Sequence, residues 1–269
     1  MSDTTDYDLK LAEFKINGYV IFEDLIAEEM IDRIRDAFMP LLEHVRERES
    51  EIHPIARGDV RTGLGRMPHL QRYTVTVPWV LPFADPALFE HPIILEFLDR
   101  YWGRESYEIA GYDSNNPYPG SDHQIWHRDT NLGTEVPHLS LNSFPVLAFK
   151  FPLVDTSEEN GSIEVLPGSQ YIADPDMEVQ YNDILLRGQF PSAHRLNLKK
   201  GSAYIQDPRI LHRGTPNRSS GPRPEVGIAY CKSWYTLGVK VDLSYMDCST
   251  LSERAEKMLW RWLPGGTGG

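Results

Sequence analysis

Between residues 105 and 245 the chain is a series of short apolar segments, YEIAGYD, VLAFKFPLVD, SIEVLPG, SAYIQD and EVGIAYCKSWY, divided by stretches rich in Pro, Gly, Asn and Ser. Segments this short, broken this often by turn residues, suit antiparallel strands of a barrel or jelly roll rather than long helices. The pattern predicts a mainly β core with flanking helices. No internal repeat is visible.

The part before residue 105 reads differently. Residues 8–17 suit a short helix, and a turn at Asn17-Gly18 leads into an extended Tyr19–Phe22 run. From Asp24 to about Arg48, Met30, Ile31, Ile34, Phe38, Leu41, Leu42 and Val45 recur at helical spacing, with Pro40 expected to kink or split the helix. Residues 53–72 carry four arginines, Arg57, Arg61, Arg66 and Arg72, without periodicity, and read as an irregular loop before the strand-like RYTVTV. Asp85-Pro86 opens a helix, His91-Pro92 interrupts it, and Gly103 ends it. Near the C-terminus Thr250-x-x-Glu253 reads as a capping box before a last helix at about 250–263. No linker stands out, so one domain over 1–269 is expected, its helical part at about 1–104 and its β core at about 105–245.

Composition narrows the partners. With 269 residues, 41% of them apolar, the chain can bury a large core. A formal charge of −12 opposes a phosphate backbone, so nucleic acid is not an expected partner. Two cysteines, Cys231 and Cys248, are too few for a disulfide framework or a thiolate zinc site and fit a reducing compartment. Acids stand in the first twenty residues where a secretory signal has bases, and no apolar run reaches membrane length. The expectation is a cytoplasmic enzyme acting on a small molecule, its oligomeric state left open.

Chemistry concentrates at PGSDHQIWHRDTN, residues 119–131. In an extended segment His127 and Asp129 share a face and Arg128 points away. With nine His and nineteen Asp, about 0.6 such His-x-Asp pairs arise by chance, so the pair needs a third ligand. The best candidate is His212 in KKGSAYIQDPRILHRG. Two imidazoles and one carboxylate on one face of an octahedron suit non-haem Fe(II) and leave three positions open. Taken singly, His212 reads first as a hydrogen-bonded core histidine and His127-x-Asp129 as a chance pair; their joint context shifts the reading toward a metal site. Eleven residues beyond it, Arg223 in NRSSGPRPEVGIAY is placed to grip a carboxylate with two parallel hydrogen bonds, though a solvated turn arginine is the blander reading.

His123, four before His127, would suit a helical metal pair, but Pro119-Gly120 argues against a helix there; His44, His53, His69, His91, His138 and His194 have no partner at a useful spacing. Asn160-Gly161 in ENGSIEVLPGSQ reads as a hairpin turn joining two strands. Trp126 and Trp234 flank the site and serve either as substrate-pocket walls or as buried aromatics of a β core. Residues 53–72 and 171–195 are candidate lids over a pocket mouth.

In order along the chain, FKINGYVIFEDLI, QIWHRD, ENGSIEVLPGSQ and KKGSAYIQDPRILHRGTPNRSSGPRP resemble the phytanoyl-CoA dioxygenase-like Fe(II)/2-oxoglutarate oxygenases, across most of residues 14–235. The resemblance implies a double-stranded β-helix, the cupin-like jelly roll. It implies iron ligation by His127, Asp129 and His212, and Arg223 on the C5 carboxylate of 2-oxoglutarate. Gln124 is implied as an amide touching the same co-substrate. Fe(II), 2-oxoglutarate and O2 would be consumed or used in oxidising, most simply hydroxylating, a C–H bond of a small-molecule metabolite, with release of succinate and CO2. Halogenating relatives replace the carboxylate ligand by a small residue, and Asp129 disfavours that outcome. Two rivals stand beside this reading: a non-redox cupin-like metal enzyme or metal-binding module, against which Arg223 argues, and a relative that folds without turning over. The family's substrates range from acyl-CoA and amino acids to aminoglycosides and terpenoids, and no motif in the chain selects among them.

Overall fold

Asp6 accepts a hydrogen bond from the Leu9 amide and so caps α1 (Tyr7–Asn17), which Gly18 ends in the left-handed region at φ 80°. The computed structural model describes residues 5–48, 71–104, 106–129, 143–172, 190–235 and 241–265. After α1 come β1 (Tyr19–Phe22) and α2 (Glu28–Glu47). Ile31, Ile34, Phe38 and Leu42 bury one face of α2, each fully, a contribution of about 1.5–3 kcal/mol apiece. Pro40 does not split this helix as its sequence suggests. Buried anchors at Phe38 and Leu42 on either side hold the turn that has lost its amide.

Of RYTVTV only β2 (Arg72–Tyr73) joins a ladder; the following Val75 amide donates to the Ser114 side chain instead of a backbone partner. The Asp85 side chain caps α3 (Pro86–Phe89), and α4 (Pro92–Trp102) ends at Gly103, as expected from the Pro and Gly positions. The strands of the core are β3 (Tyr107–Pro117), β4 (Val146–Pro152), β5 (Glu164–Val165), β6 (His194–Arg195), β7 (Ala203–Gln206), β8 (His212–Arg213) and β9 (Glu225–Lys232). α5 (Glu253–Leu259) closes the described chain. Its cap is Ser252, whose hydroxyl accepts from the Ala255 amide; Thr250, the sequence's candidate, is drawn into the preceding turn by a bond to the Asp247 carbonyl.

All strand pairs in the two sheets are antiparallel. Six strands run in the order β1-β7-β4-β9-β3-β2, and three in the order β6-β5-β8. Asn160-Gly161 therefore makes a turn between sheets rather than a hairpin, since β4 and β5 do not pair. Gly161 has φ 83°, and a Cβ there would lie 2.7 Å from the Thr215 carbonyl oxygen, so the turn packs directly on the segment after β8.

Cross-strand partners point to the same face, which sorts the large sheet. Leu147, Phe149, Phe151, Ile205, Val226, Ile228 and Tyr230 face the helices in the main apolar core. Opposite them, Lys150 pairs with Tyr204 and Gly227, Ala148 with Gln206, Pro152 with Glu225, and Asp113 with Gly227. This second face looks toward the small sheet: Tyr204 packs in a separate cluster with Ile163 and Val165 of the β5 region and Leu196 of the β6 region. Alongside that cluster the inner face carries Lys150, Gln206 and Glu225, which places polar and charged side chains within the β core.

Candidate metal centre

The turn Asp207-Pro208-Arg209-Ile210 sets the site. Its sequence has Asp and Pro at the first two positions of a tight turn, and the Ile210 amide donates to the Asp207 carbonyl at 3.1 Å. Arg209 and Asp207, both buried, pair at 2.6 Å and stiffen it. This turn delivers His212 on β8 and leaves the Pro208 carbonyl to accept from the Asp129 amide at 2.9 Å.

Residues 124–129 lie along this segment as irregular extended chain rather than the regular strand that the alternation suggests. The Gln124 amide donates to the Gly214 carbonyl at 2.9 Å, and His127 and His212 exchange amide bonds at 3.0 Å. His127 and Asp129 converge on His212, while the buried Arg128 points elsewhere and donates to the carbonyls of Ser169 and Ile172.

One ligand atom from each of His127, Asp129 and His212 lies within 4.8 Å of the others. Asp129 Oδ1 stands 3.4 Å from His212 Nε2 and 3.9 Å from His127 Nε2. The Nδ1 atoms face the carbonyls of Ile125 at 2.8 Å and Ile210 at 3.0 Å. A carbonyl only accepts, so this arrangement assigns a proton to Nδ1 and leaves Nε2 directed at Asp129. The Gln206 amide nitrogen also lies 3.2 Å from His212 Nδ1, at the longer distance. Burial raises the Asp129 carboxyl, but in the metal-free protein the positive charge of protonated His212 and His127 and of Lys150 outweighs it and holds the group well below the usual carboxylate range, the role that a bound cation would take over. The donor set, two imidazole nitrogens and a carboxylate, fits a ferrous ion, which would take the Nε2 positions in place of protons.

Arg223 is buried, and its Nε and Nη1 have no hydrogen-bond partner among the described residues. Glu225 Oε2 lies 3.3 Å from Nη1 without making a hydrogen bond, and Glu225 accepts from the Tyr204 hydroxyl at 3.0 Å. Glu225 thus links Arg223 to Tyr204, the cross-strand partner of Lys150, whose ammonium faces Asp129 at 3.7 Å. Buried guanidinium N–H groups that make no hydrogen bond are the feature a carboxylate ligand satisfies.

Gln124 Oε1 accepts from the Gly214 amide at 2.8 Å, which pins its side chain between the two ligand-bearing segments. Trp126 is fully buried, edge-on to Phe190 with ring centres 5.3 Å apart and under the Arg213 guanidinium. Trp234 is 66% exposed at the end of β9. His123 does not join the cluster. His53, His69 and His138, and residues 53–70 and 173–189 of the two candidate lids, lie outside the described residues.

The sequence reading passes over three side chains here. Arg72 appears in it only as a loop arginine, yet it is buried, donates to the carbonyls of Asp122 and Thr215, and lies against Gly214. Burial, then the neighbouring Arg223, push its guanidinium down to about 9. Lys150 and Gln206 flank the ligands from the polar face of the large sheet. A lone lysine inside the apolar VLAFKFPLVD was the available signal.

The sequence pattern of the phytanoyl-CoA dioxygenase (PhyH) family matches residues 14–224. Among solved structures the chain is similar to AviO1 from Streptomyces viridochromogenes Tue57, with TM-score 0.60 and 19% identity over 86% of this chain and 97% of that one. It is similar to HygX from Streptomyces hygroscopicus, solved with nickel and 2-oxoglutarate, with TM-score 0.60 and 13% identity over 89% and 92%; HygX has also been solved with hygromycin B bound. It is similar to the non-heme alpha ketoglutarate dependent carbocyclase SnoK from nogalamycin biosynthesis, with TM-score 0.59 and 19% identity over 86% and 85%. These likenesses confirm the jelly-roll fold. The chain belongs to the phytanoyl-CoA dioxygenase family, and so to the non-haem Fe(II) enzymes that depend on 2-oxoglutarate.

Proposed function

We propose that this enzyme hydroxylates a C–H bond of a small-molecule metabolite, in the assembly or tailoring of a natural product, with release of succinate and CO2. The observation that carries the reading is Arg223, buried in the β core with two guanidinium nitrogens that make no hydrogen bond among the described residues. In this account His127, Asp129 and His212 hold Fe(II), Arg223 binds the C5 carboxylate of 2-oxoglutarate, and Gln124 supplies an amide contact to it. Bound iron with 2-oxoglutarate and O2 supplies the oxidising power for C–H cleavage. The protein's own part is to orient the co-substrate and to direct Nε2 of both imidazoles at the metal position through the Ile125 and Ile210 carbonyls.

Asp129 supports oxygen transfer over halogenation, because its carboxylate fills the ligand position that a halide would need. A natural-product substrate draws support from the neighbours: HygX has been solved with hygromycin B, and SnoK belongs to nogalamycin biosynthesis. The test is incubation of iron-loaded enzyme with 2-oxoglutarate, 18O2 and a panel of glycosylated and polycyclic metabolites, followed by mass spectrometry. One 18O atom gained by a metabolite, matched mole for mole by succinate, is the expected result. Succinate formed with substrate desaturated, cyclised or epimerised and free of 18O would overturn hydroxylation while leaving the enzyme class in place.

A further inference from the structure

Asp129 presents its two oxygens to different partners. Oδ1 faces His212 Nε2 at 3.4 Å and His127 Nε2 at 3.9 Å, whereas Oδ2 faces the Lys150 ammonium at 3.7 Å. Lys150 is built into that position. It lies on the polar face of β4, paired across the sheet with Tyr204 and Gly227. A Cβ at Gly227 would stand 2.9 Å from Lys150 Cγ, so the absence of a side chain there leaves room for the lysine stem against β9. Its ammonium donates to Gln206 Oε1 at 3.0 Å, and Gln206 is fully buried. The lysine side chain is only 19% exposed, a cost in conformational freedom and hydration that a solvated lysine would not bear.

We propose that Lys150 is a positioning residue that keeps Asp129 on the metal through Oδ1 alone by holding Oδ2. A carboxylate free to use both oxygens closes a chelate and occupies one of the three positions left open by a facial triad. The co-substrate needs two of those positions and oxygen the third. By occupying Oδ2, Lys150 preserves the vacancy. The inference rests on the reading of the site as an iron and 2-oxoglutarate centre.

The experiment uses Ni(II) alone as an air-stable probe of the metal site. Infrared difference spectra, metal-loaded minus metal-free, are recorded on protein carrying 13C-carboxyl aspartate, with Asp129→Asn identifying the bands that belong to Asp129. One-oxygen ligation gives a wide separation between the asymmetric and symmetric carboxylate stretches, and chelation a narrow one. Wild type is expected to show the wide separation and Lys150→Met the narrow one, with Lys150→Arg restoring the wide. In the nickel-loaded Lys150→Met protein the Kd for 2-oxoglutarate should rise about tenfold, as for loss of other groups that orient a ligand. Nickel affinity should stay within about threefold, since removing a cation beside the dication offsets the lost orientation. Circular dichroism checks folding, and Lys150→Gln replaces Lys150→Met if that variant does not fold. Equal separations in wild type and variant, or a narrow one in wild type, overturn the role of Lys150 and leave the metal centre standing. A wild-type protein that takes up no Ni(II) overturns both.

Discussion

His127 and His212 face each other across an antiparallel backbone bridge, each amide donating to the other's carbonyl at 3.0 Å, with ring centres 4.4 Å apart. The metal site is thus fixed by main-chain geometry before any side-chain contact. A ligand change should empty it without unfolding the protein. His212→Ala is expected to weaken metal binding by more than about 100-fold, beyond what loss of an outer partner costs. Calorimetric titration of metal-free protein with Ni(II) checks this, alongside a retained circular dichroism spectrum.

Arg223 and Arg72 are buried cations that repel each other, and two nitrogens of Arg223 make no hydrogen bond among the described residues. A bound carboxylate relieves both conditions. Arg223→Met should therefore raise the KM for 2-oxoglutarate by about 30-fold or more, corresponding to at least about 2 kcal/mol for loss of a buried charge-assisted pair. With metal present, 2-oxoglutarate at 100 times its wild-type Kd should stabilise wild type by about 2.7 kcal/mol and Arg223→Met by about 0.9 kcal/mol or less. Thermal denaturation with and without the co-substrate measures the difference.

Gly214 has no room for a side chain: a Cβ would press on the Arg72 guanidinium and lie 2.7 Å from Gln124 Oε1. Gly214→Ala is expected to destabilise the fold by about 1–3 kcal/mol, the usual cost of overpacking, and to weaken metal binding in step. Urea denaturation gives the first quantity and Ni(II) titration the second.

Glu43 on α2 accepts from the Tyr118 hydroxyl at 2.6 Å. That bond, reinforced by Arg46 against a smaller burial effect, holds the Glu43 carboxyl below its ordinary value of 4.5. A carboxyl depressed in the folded state binds fewer protons than in the unfolded state, so its stabilisation is complete above the unfolded value and fades as pH falls through the folded one. Tyr118→Phe should cost stability at about pH 7, with the gap to wild type shrinking toward about pH 3. Urea midpoints of both proteins at the two pH values test the sign.

Much of the arrangement was legible in the residues. Asp85-Pro86, Gly103 and the α2 periodicity are local signals, each read by the segment that carries it, and they mark helices where the structure has them. Asp129 and His212 were nameable because ligand chemistry restricts residue types. Lys150 was not, because its meaning lies in Gly227 and Gln206 on two neighbouring strands. Arg72 was hidden for the same reason, its partners Asp122 and Thr215 being distant in sequence. Pro40 and Thr250 misled because tertiary packing and a competing turn outweighed local preference.

The most direct measurement is anaerobic addition of Fe(II) and then 2-oxoglutarate to metal-free protein, following the visible charge-transfer band of the chelate. The account predicts a band in wild type that is absent in His212→Ala and requires far more 2-oxoglutarate in Arg223→Met. Iron bound without a band at saturating 2-oxoglutarate would contradict it.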